Sequence, residues 1–196
     1  MRRSLFVLFV LVAAVPAFAQ TAELSGGYSW AHQGEYSIAK GWNVSGAGFP
    51  TRRIGFEGDI SGHYKDLNML NLPGVVDVSA SLNYISFMGG PKFRFMNEGS
   101  LVQPFAHALF GGTRLNGKGT ASVNIRTVAR PLIIKVDVSD SGTGFSSLVG
   151  GGADIGKGRF AVRTQLDYSL FSINDVFYQS GYSNGLRFTT GLVFRF

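Results

Sequence analysis

From Leu186 to Phe196 apolar and polar positions alternate almost one for one. Leu186, Phe188, Thr190, Leu192, Phe194 and Phe196 share one parity, and Arg187, Thr189, Gly191, Val193 and Arg195 the other. Successive side chains of an extended chain point to opposite faces, so a period of two predicts a strand with one greasy and one charged face. The same split runs through three segments upstream. Phe160, Val162, Thr164, Leu166, Tyr168 and Leu170 oppose Ala161, Arg163, Gln165, Asp167 and Ser169. Ile54, Phe56, Ile60 and Tyr64 oppose Gly55, Glu57, Asp59, Ser61 and His63, and Ile85, Phe87, Phe93 and Phe95 oppose Ser86, Lys92 and Arg94. Weaker alternation marks roughly Glu23–His32, Gly41–Phe49, Val102–Arg114 and Phe145–Gly156. Helical periodicity is hard to find after Gln20, and eight antiparallel strands are predicted in all.

The connections are unequal in an ordered way. Three are short: Pro50–Arg52, Met96–Ser100 and Gly156–Gly158. Four are long: Gln33–Lys40, Lys65–Leu82, Leu115–Gly144 and Ser172–Ser183. Within the longest, "ASVNIRTV" and "LIIKVDV" flank "ARP", which predicts a hairpin extending strands five and six, since a stretch of this length without structure is disfavoured. Short turns at one end, long loops at the other and an even strand number form the layout of an all-β, up-and-down transmembrane β-barrel. The long loops would then face outward, with both termini in the periplasm.

Alternation alone leaves open which face is wet, because a lipocalin-type barrel alternates too. The polar parity is mostly Gly, Ser, Thr, Ala and Asn with a few charges of both signs, whereas a soluble surface carries ~25–35% charged residues. The apolar parity would overfill a narrow eight-strand lumen, so it is assigned to lipid and the polar parity to the lumen. In hydrocarbon every backbone polar group must bond internally, so strand eight must close on strand one. Phe196 then falls in the aromatic girdle at the periplasmic interface, and Tyr28, Trp30 and Trp42 in the girdle of the outer leaflet.

The beginning of the chain reads differently. Arg2 and Arg3 precede an apolar run from Leu5 to Val15, and Ala17–Ala19 supplies small residues at a cleavage site. This is the pattern of a secretory signal peptide over residues 1–19, leaving residues 20–196 as one barrel domain. The run falls short of the ~20 residues a spanning helix needs. There is no cysteine, which fits a bacterial exported protein stable without disulfides. Loss of Arg2 and Arg3 leaves sixteen basic residues against twelve acidic, a net charge of +4 that calls for no nucleic-acid partner.

"GLVFRF", Gly191–Phe196, resembles the C-terminal strand signature of bacterial outer-membrane proteins, with Leu192, Phe194 and Phe196 as its alternate apolar positions. Together with the signal peptide, the eight strands and "PFAHALFGG" at Pro104–Gly112, the mature chain resembles the OmpA/OmpX-type outer-membrane β-barrel domain family along its whole length. The resemblance implies outer-membrane lipids as surroundings, and the barrel-assembly machinery and periplasmic chaperones as partners during biogenesis. It further implies a monomer with no cofactor.

Candidate chemistry lies on the polar parity. Glu57, Asp59, Asp154 and Asp167 face Lys92, Arg94, Arg163, Arg187 and Arg195, with His107 joining them. Paired carboxylates serve acid–base catalysis and clustered arginines hold anions, yet buried charges must be paired, and a lumen ion-pair network is the expectation. Asp167 and Arg187 stand at similar depth on adjacent strands and are expected to pair. "GGADIGKG", Gly151–Gly158, nearly matches a phosphate-binding loop, but Gly158 stands where Ser or Thr would hold magnesium and no helix follows. "GYSNG", Gly181–Gly185, is similar to the histidine–x–serine–asparagine segment of outer-membrane lipid A deacylases, with Gly181 in place of the histidine, so Ser183 lacks an adjacent base. His32, His63 and His107 come from separate strands without metal-ligand spacing. The expected function is a plugged, non-catalytic membrane scaffold presenting its loops. A small gated pore or transport protein is the alternative, and a lipid-modifying enzyme is disfavoured.

Overall fold

The computed structural model describes residues 21–33, 36–72, 76–96, 99–126, 131–173 and 181–196. The signal-peptide segment, residues 1–19, lies outside them. Eight strands follow in chain order: β1 (Thr21–Gln33), β2 (Tyr36–Phe49), β3 (Ile54–Leu72), β4 (Val76–Arg94), β5 (Val102–Arg126), β6 (Pro131–Ile155), β7 (Phe160–Ile173) and β8 (Gly181–Arg195). Each pairs antiparallel with its neighbours, and β8 returns to β1, so the sheet is a closed barrel without a free edge. The closing seam runs from Glu23 opposite Arg195 to Gln33 opposite Gly185, and Phe196 N–H donates to the Ala22 carbonyl at 2.9 Å. Closure satisfies the ladder groups that an open sheet would leave bare.

The strands are longer than the alternation indicates. β3 and β4 continue through most of the stretch expected as the loop Lys65–Leu82, pairing as far as Leu72 opposite Val76. β5 and β6 form the hairpin expected within Leu115–Gly144, paired without interruption up to Arg126 opposite Pro131. The expected loops Gln33–Lys40 and Ser172–Ser183 shrink likewise, because β2 starts at Tyr36 and β8 at Gly181. A tilted strand needs only ~9–11 residues to span a bilayer, so the 25-residue β5 and β6 project far beyond one. Once both faces of a hairpin meet water, the greasy parity has no reason to persist, and the period-two signal fades while the backbone pairing continues.

Relative to a water-soluble protein the barrel is inside out. Among the described residues 27 large apolar side chains are exposed, against 12 apolar residues buried, so the outer wall calls for a hydrocarbon surround. At the short-turn end, ring pairs Phe93–Phe95 (5.2 Å between centroids), Phe160–Phe194 (5.1 Å) and Phe194–Phe196 (4.8 Å) line the wall. Higher up, Trp30 stacks on Tyr28 at 6.1 Å and lies 5.7 Å from Phe188, while Trp42 Nε1 donates to the Tyr64 hydroxyl at 3.2 Å.

Candidate functional site

The lumen gathers the charge. Near the short-turn end the hub is Glu23, a residue whose weak strand hid its inward parity with Ser25 and Ser29. Its carboxylate accepts from Arg94 Nη2 and Arg163 Nη2, both at 2.7 Å, and from Lys92 Nζ. Arg163 also grips Asp154, its direct partner across β6 and β7, with Nε to Oδ1 at 2.7 Å and Nη2 to Oδ2 at 2.9 Å. Arg195 reaches Asp154 Oδ2 at 3.5 Å from a less buried position. Aromatic rings support the cations: the Arg94 guanidinium lies 3.4 Å from the Phe49 centroid, and Lys92 and Arg163 lie 4.3 and 4.7 Å from Phe105. A partly desolvated cation gains from the negative face of such a ring.

One level deeper His107 bridges two carboxylates, with Nδ1 2.7 Å from Glu57 Oε2 and Nε2 2.9 Å from Asp167 Oδ1. Asp167 also accepts from Arg187 Nε at 3.0 Å and from Gln165 Nε2 at 2.8 Å. Asp167 and Arg187 face each other directly in the β7–β8 register. Arg187 spans the lumen to Asp59, Nη1 to Oδ1 at 3.0 Å, and Asn43 Nδ2 completes that carboxylate at 2.5 Å. Gly150, opposite Asp167, keeps this layer open: a Cβ there would lie 2.2 Å from Asp167 Oδ1.

Above the charges the lumen changes character. Met88, Leu109 and Leu148 form a buried apolar cluster, and Ala31, Ala39, Tyr84 and Phe171 form a second, with Leu115 against it. Between them Ser86, Thr113 and Ser146 share a chain of hydroxyl contacts. The His63 ring stacks on Tyr84 at 4.7 Å, and its Nε2 lies 2.9 Å from Ser29 Oγ. A gap bordered by Arg187, His63, Tyr84 and Met88 measures about 10 Å³, the room of a single water. The expected polar lumen is thus accompanied by apolar layers. Phe105, Leu109, Leu148 and Phe171 lie on the inward parity, where small side chains alone could not fill the cross-section.

Among the residues expected inside, Glu57, Asp59, Lys92, Arg94, His107, Asp154, Arg163, Asp167 and Arg187 are all buried and joined in one network, Arg94 through Glu23, and Arg195 is half-buried at their edge. Five carboxylates, counting Glu23, meet five lysine and arginine cations. Chemically an imidazole between two carboxylates can hold or pass a proton, but the His107 side chain has no exposed surface. His32 faces outward, apart from His63 and His107. Among the described residues no three His, Asp or Glu converge as a metal site. The Ser183 side chain lies outside the described residues.

A closed eight-stranded barrel, apolar outside and charged within, defines the class of transmembrane β-barrels. The chain belongs to the family described as outer membrane protein beta-barrel domain, whose family model matches residues 5–196. Its setting is therefore the bacterial outer membrane. Among solved structures it is similar to Ail, the attachment invasion locus protein of Yersinia pestis. That likeness has 18% identity and a TM-score of 0.55, over 91% of this chain and 99% of that one. The same protein in complex with the heparin analogue sucrose octasulfate matches equally, at 18% identity and TM-score 0.55, over 90% of this chain and 98% of that one. The N-terminal barrel domain of Pseudomonas aeruginosa OprF is 10% identical with a TM-score of 0.44, covering 91% and 98% of the two chains. No curated protein sequence matches.

Proposed function

We propose that the protein is a monomeric outer-membrane scaffold with a plugged lumen and no catalytic centre, holding its long hairpins outside the cell. The observation that supports this reading is that side chains occupy the described lumen at successive levels. A buried ion network occupies the half near the short turns, and the apolar clusters around Leu109 and Tyr84 follow it. An eight-strand interior is just wide enough for side chains, which supports a closed bore. The exit-free position of His107 supports a structural role for its two carboxylate contacts. In this reading residues 1–19 are a cleaved signal peptide, and both ends of the mature barrel domain, residues 20–196, face the periplasm. Leu192, Phe194 and Phe196 form the signal for the barrel-assembly machinery after delivery by periplasmic chaperones, and Tyr28, Trp30 and Trp42 lie in the outer aromatic girdle. No cofactor is needed.

The test is single-channel recording in planar bilayers, with folding checked by the heat-dependent shift in gel mobility that SDS-resistant barrels show. The scaffold gives no unitary steps. Reproducible steps of constant size would overturn the plug and establish the small-pore reading. Unchanged lipid A composition on overexpression is the corresponding expectation against a lipid-modifying enzyme.

A further inference from the structure

The charged residues after the signal segment fall into three groups by their place along the chain. Among the described residues the lumen holds five acids against five lysines and arginines. In the four long hairpins and the upper strands feeding them, the sequence carries seven basic and six acidic residues. The short-turn segments Pro50–Arg53, Phe95–Leu101 and Gly156–Arg159 carry Arg52, Arg53, Lys157 and Arg159 against Glu98 alone. Three of the four net positive charges of residues 20–196 therefore belong to the short-turn segments of the sequence. All four bases are exposed, and none makes an ion pair with a described residue.

Hydrogen bonds hold the turns that carry them. The Arg53 carbonyl accepts from Arg94 N–H and the Arg159 carbonyl from Arg195 N–H, each at 2.8 Å, and Thr51 Oγ1 caps the Ile54 N–H at 3.0 Å. Gly158, at φ +70°, supplies the left-handed residue of the β6–β7 turn. The ring order puts the β2–β3 turn and the β6–β7 turn four strands apart, on opposite sides of the barrel. Two basic pairs on opposite sides of the barrel cannot close on one small anion, but they match a ring of separate anions around the wall. The paired rings of Phe93 and Phe95, and of Phe160, Phe194 and Phe196, lie next to them on the outer wall, where aromatic side chains mark the level of lipid headgroups.

We propose that the short-turn rim is a contact surface for anionic phospholipid headgroups, through which Arg52, Arg53, Lys157 and Arg159 bind the phosphates of the surrounding leaflet. The cellular partner, phospholipid of the periplasmic leaflet, rests on the orientation given under Proposed function. A base near an anionic surface contributes about a fivefold preference at low salt, lost as screening rises.

The experiment is lipid selectivity measured by electron spin resonance on the full barrel in phosphatidylcholine bilayers, with spin-labelled phosphatidylglycerol or phosphatidylcholine as the probe. The motionally restricted fraction should favour phosphatidylglycerol severalfold. That preference should fall to near unity in Arg52→Gln/Arg53→Gln/Lys157→Gln/Arg159→Gln and in high salt, and survive in Lys40→Gln/Arg114→Gln/Lys118→Gln. Absence of selectivity in the parent, or selectivity unaffected by the rim variant, overturns the proposal. Heat-dependent mobility verifies that each variant is folded. Orientation is tested on its own by Lys157→Cys: labelling by an impermeant maleimide on intact cells would refute the topology and its leaflet assignment, while the bilayer result would still decide the rim.

Discussion

Replacing Arg187 by methionine removes a cation that touches both Asp59 and Asp167. The guanidinium makes contacts of 3.0 Å to each carboxylate, with further bonds of 3.3 Å to Asp59 Oδ2 and 3.2 Å to Ser61 Oγ. Methionine keeps the apolar stem and lacks the guanidinium, so the loss is chiefly electrostatic: among the described residues the two buried carboxylates keep Asn43 on one side and His107 with Gln165 on the other. Removing one partner of a buried ion pair costs about 3–5 kcal/mol, far above the ~0–1 kcal/mol of an exposed pair. With a urea slope of about 2 kcal/mol/M, the unfolding midpoint in phospholipid vesicles should fall by roughly 2 M. The companion is Asp59→Asn/Asp167→Asn/Arg187→Met, which deletes both signs together. Replacing a buried ionic set by neutral groups of similar shape is close to neutral, so the triple variant should recover most of the loss, a strong non-additivity between touching residues. A single variant that loses less than about 1 kcal/mol, or a triple variant less stable than the single, would refute the buried-network account.

Two further outcomes test the ends and the wall. Deleting Phe196, or replacing it by Glu, should sharply reduce the heat-modifiable species in isolated outer membranes, whereas Arg195→Gln should leave it nearly intact; equal effects would remove the C-terminal signal. Phe87, exposed on the wall where β4 pairs with Ile60 and Gly112, should lose about 2–4 kcal/mol on change to Arg, as charge on a lipid face does. Val138, also exposed but high on β6 opposite Gly119, should tolerate Arg within about 0.5 kcal/mol, and matching losses at the two sites would misplace the membrane boundary.

Much of the barrel was legible because alternation is a local property. Each of Phe160, Val162, Leu166 and Leu170 takes its face from the residue beside it, and that parity alone sent Arg163, Asp167 and Arg187 inward. Glu23 was readable in principle from Ser25 and Ser29 on the same parity, but its face carries no run of bulky polar residues to announce it. The hairpin lengths were legible only where sequence still alternated, as in "LIIKVDV". Lys65–Leu72 pairs with Val76–Leu82 through backbone bonds that leave little mark on side-chain order.

By itself, then, the sequence determined the strand number, which face meets lipid and which charges turn inward, since these follow from period two and from what hydrocarbon tolerates. Only the tertiary structure decided who meets whom. Glu23 finds Lys92 and Arg163 across the bore, and His107 finds Glu57 and Asp167, because closure of β8 on β1 sets the stagger of every strand and so the height of each side chain. The apolar clusters of Leu109 with Leu148 and of Tyr84 with Phe171 arise the same way: residues scattered along separate strands become neighbours only once the ring is shut.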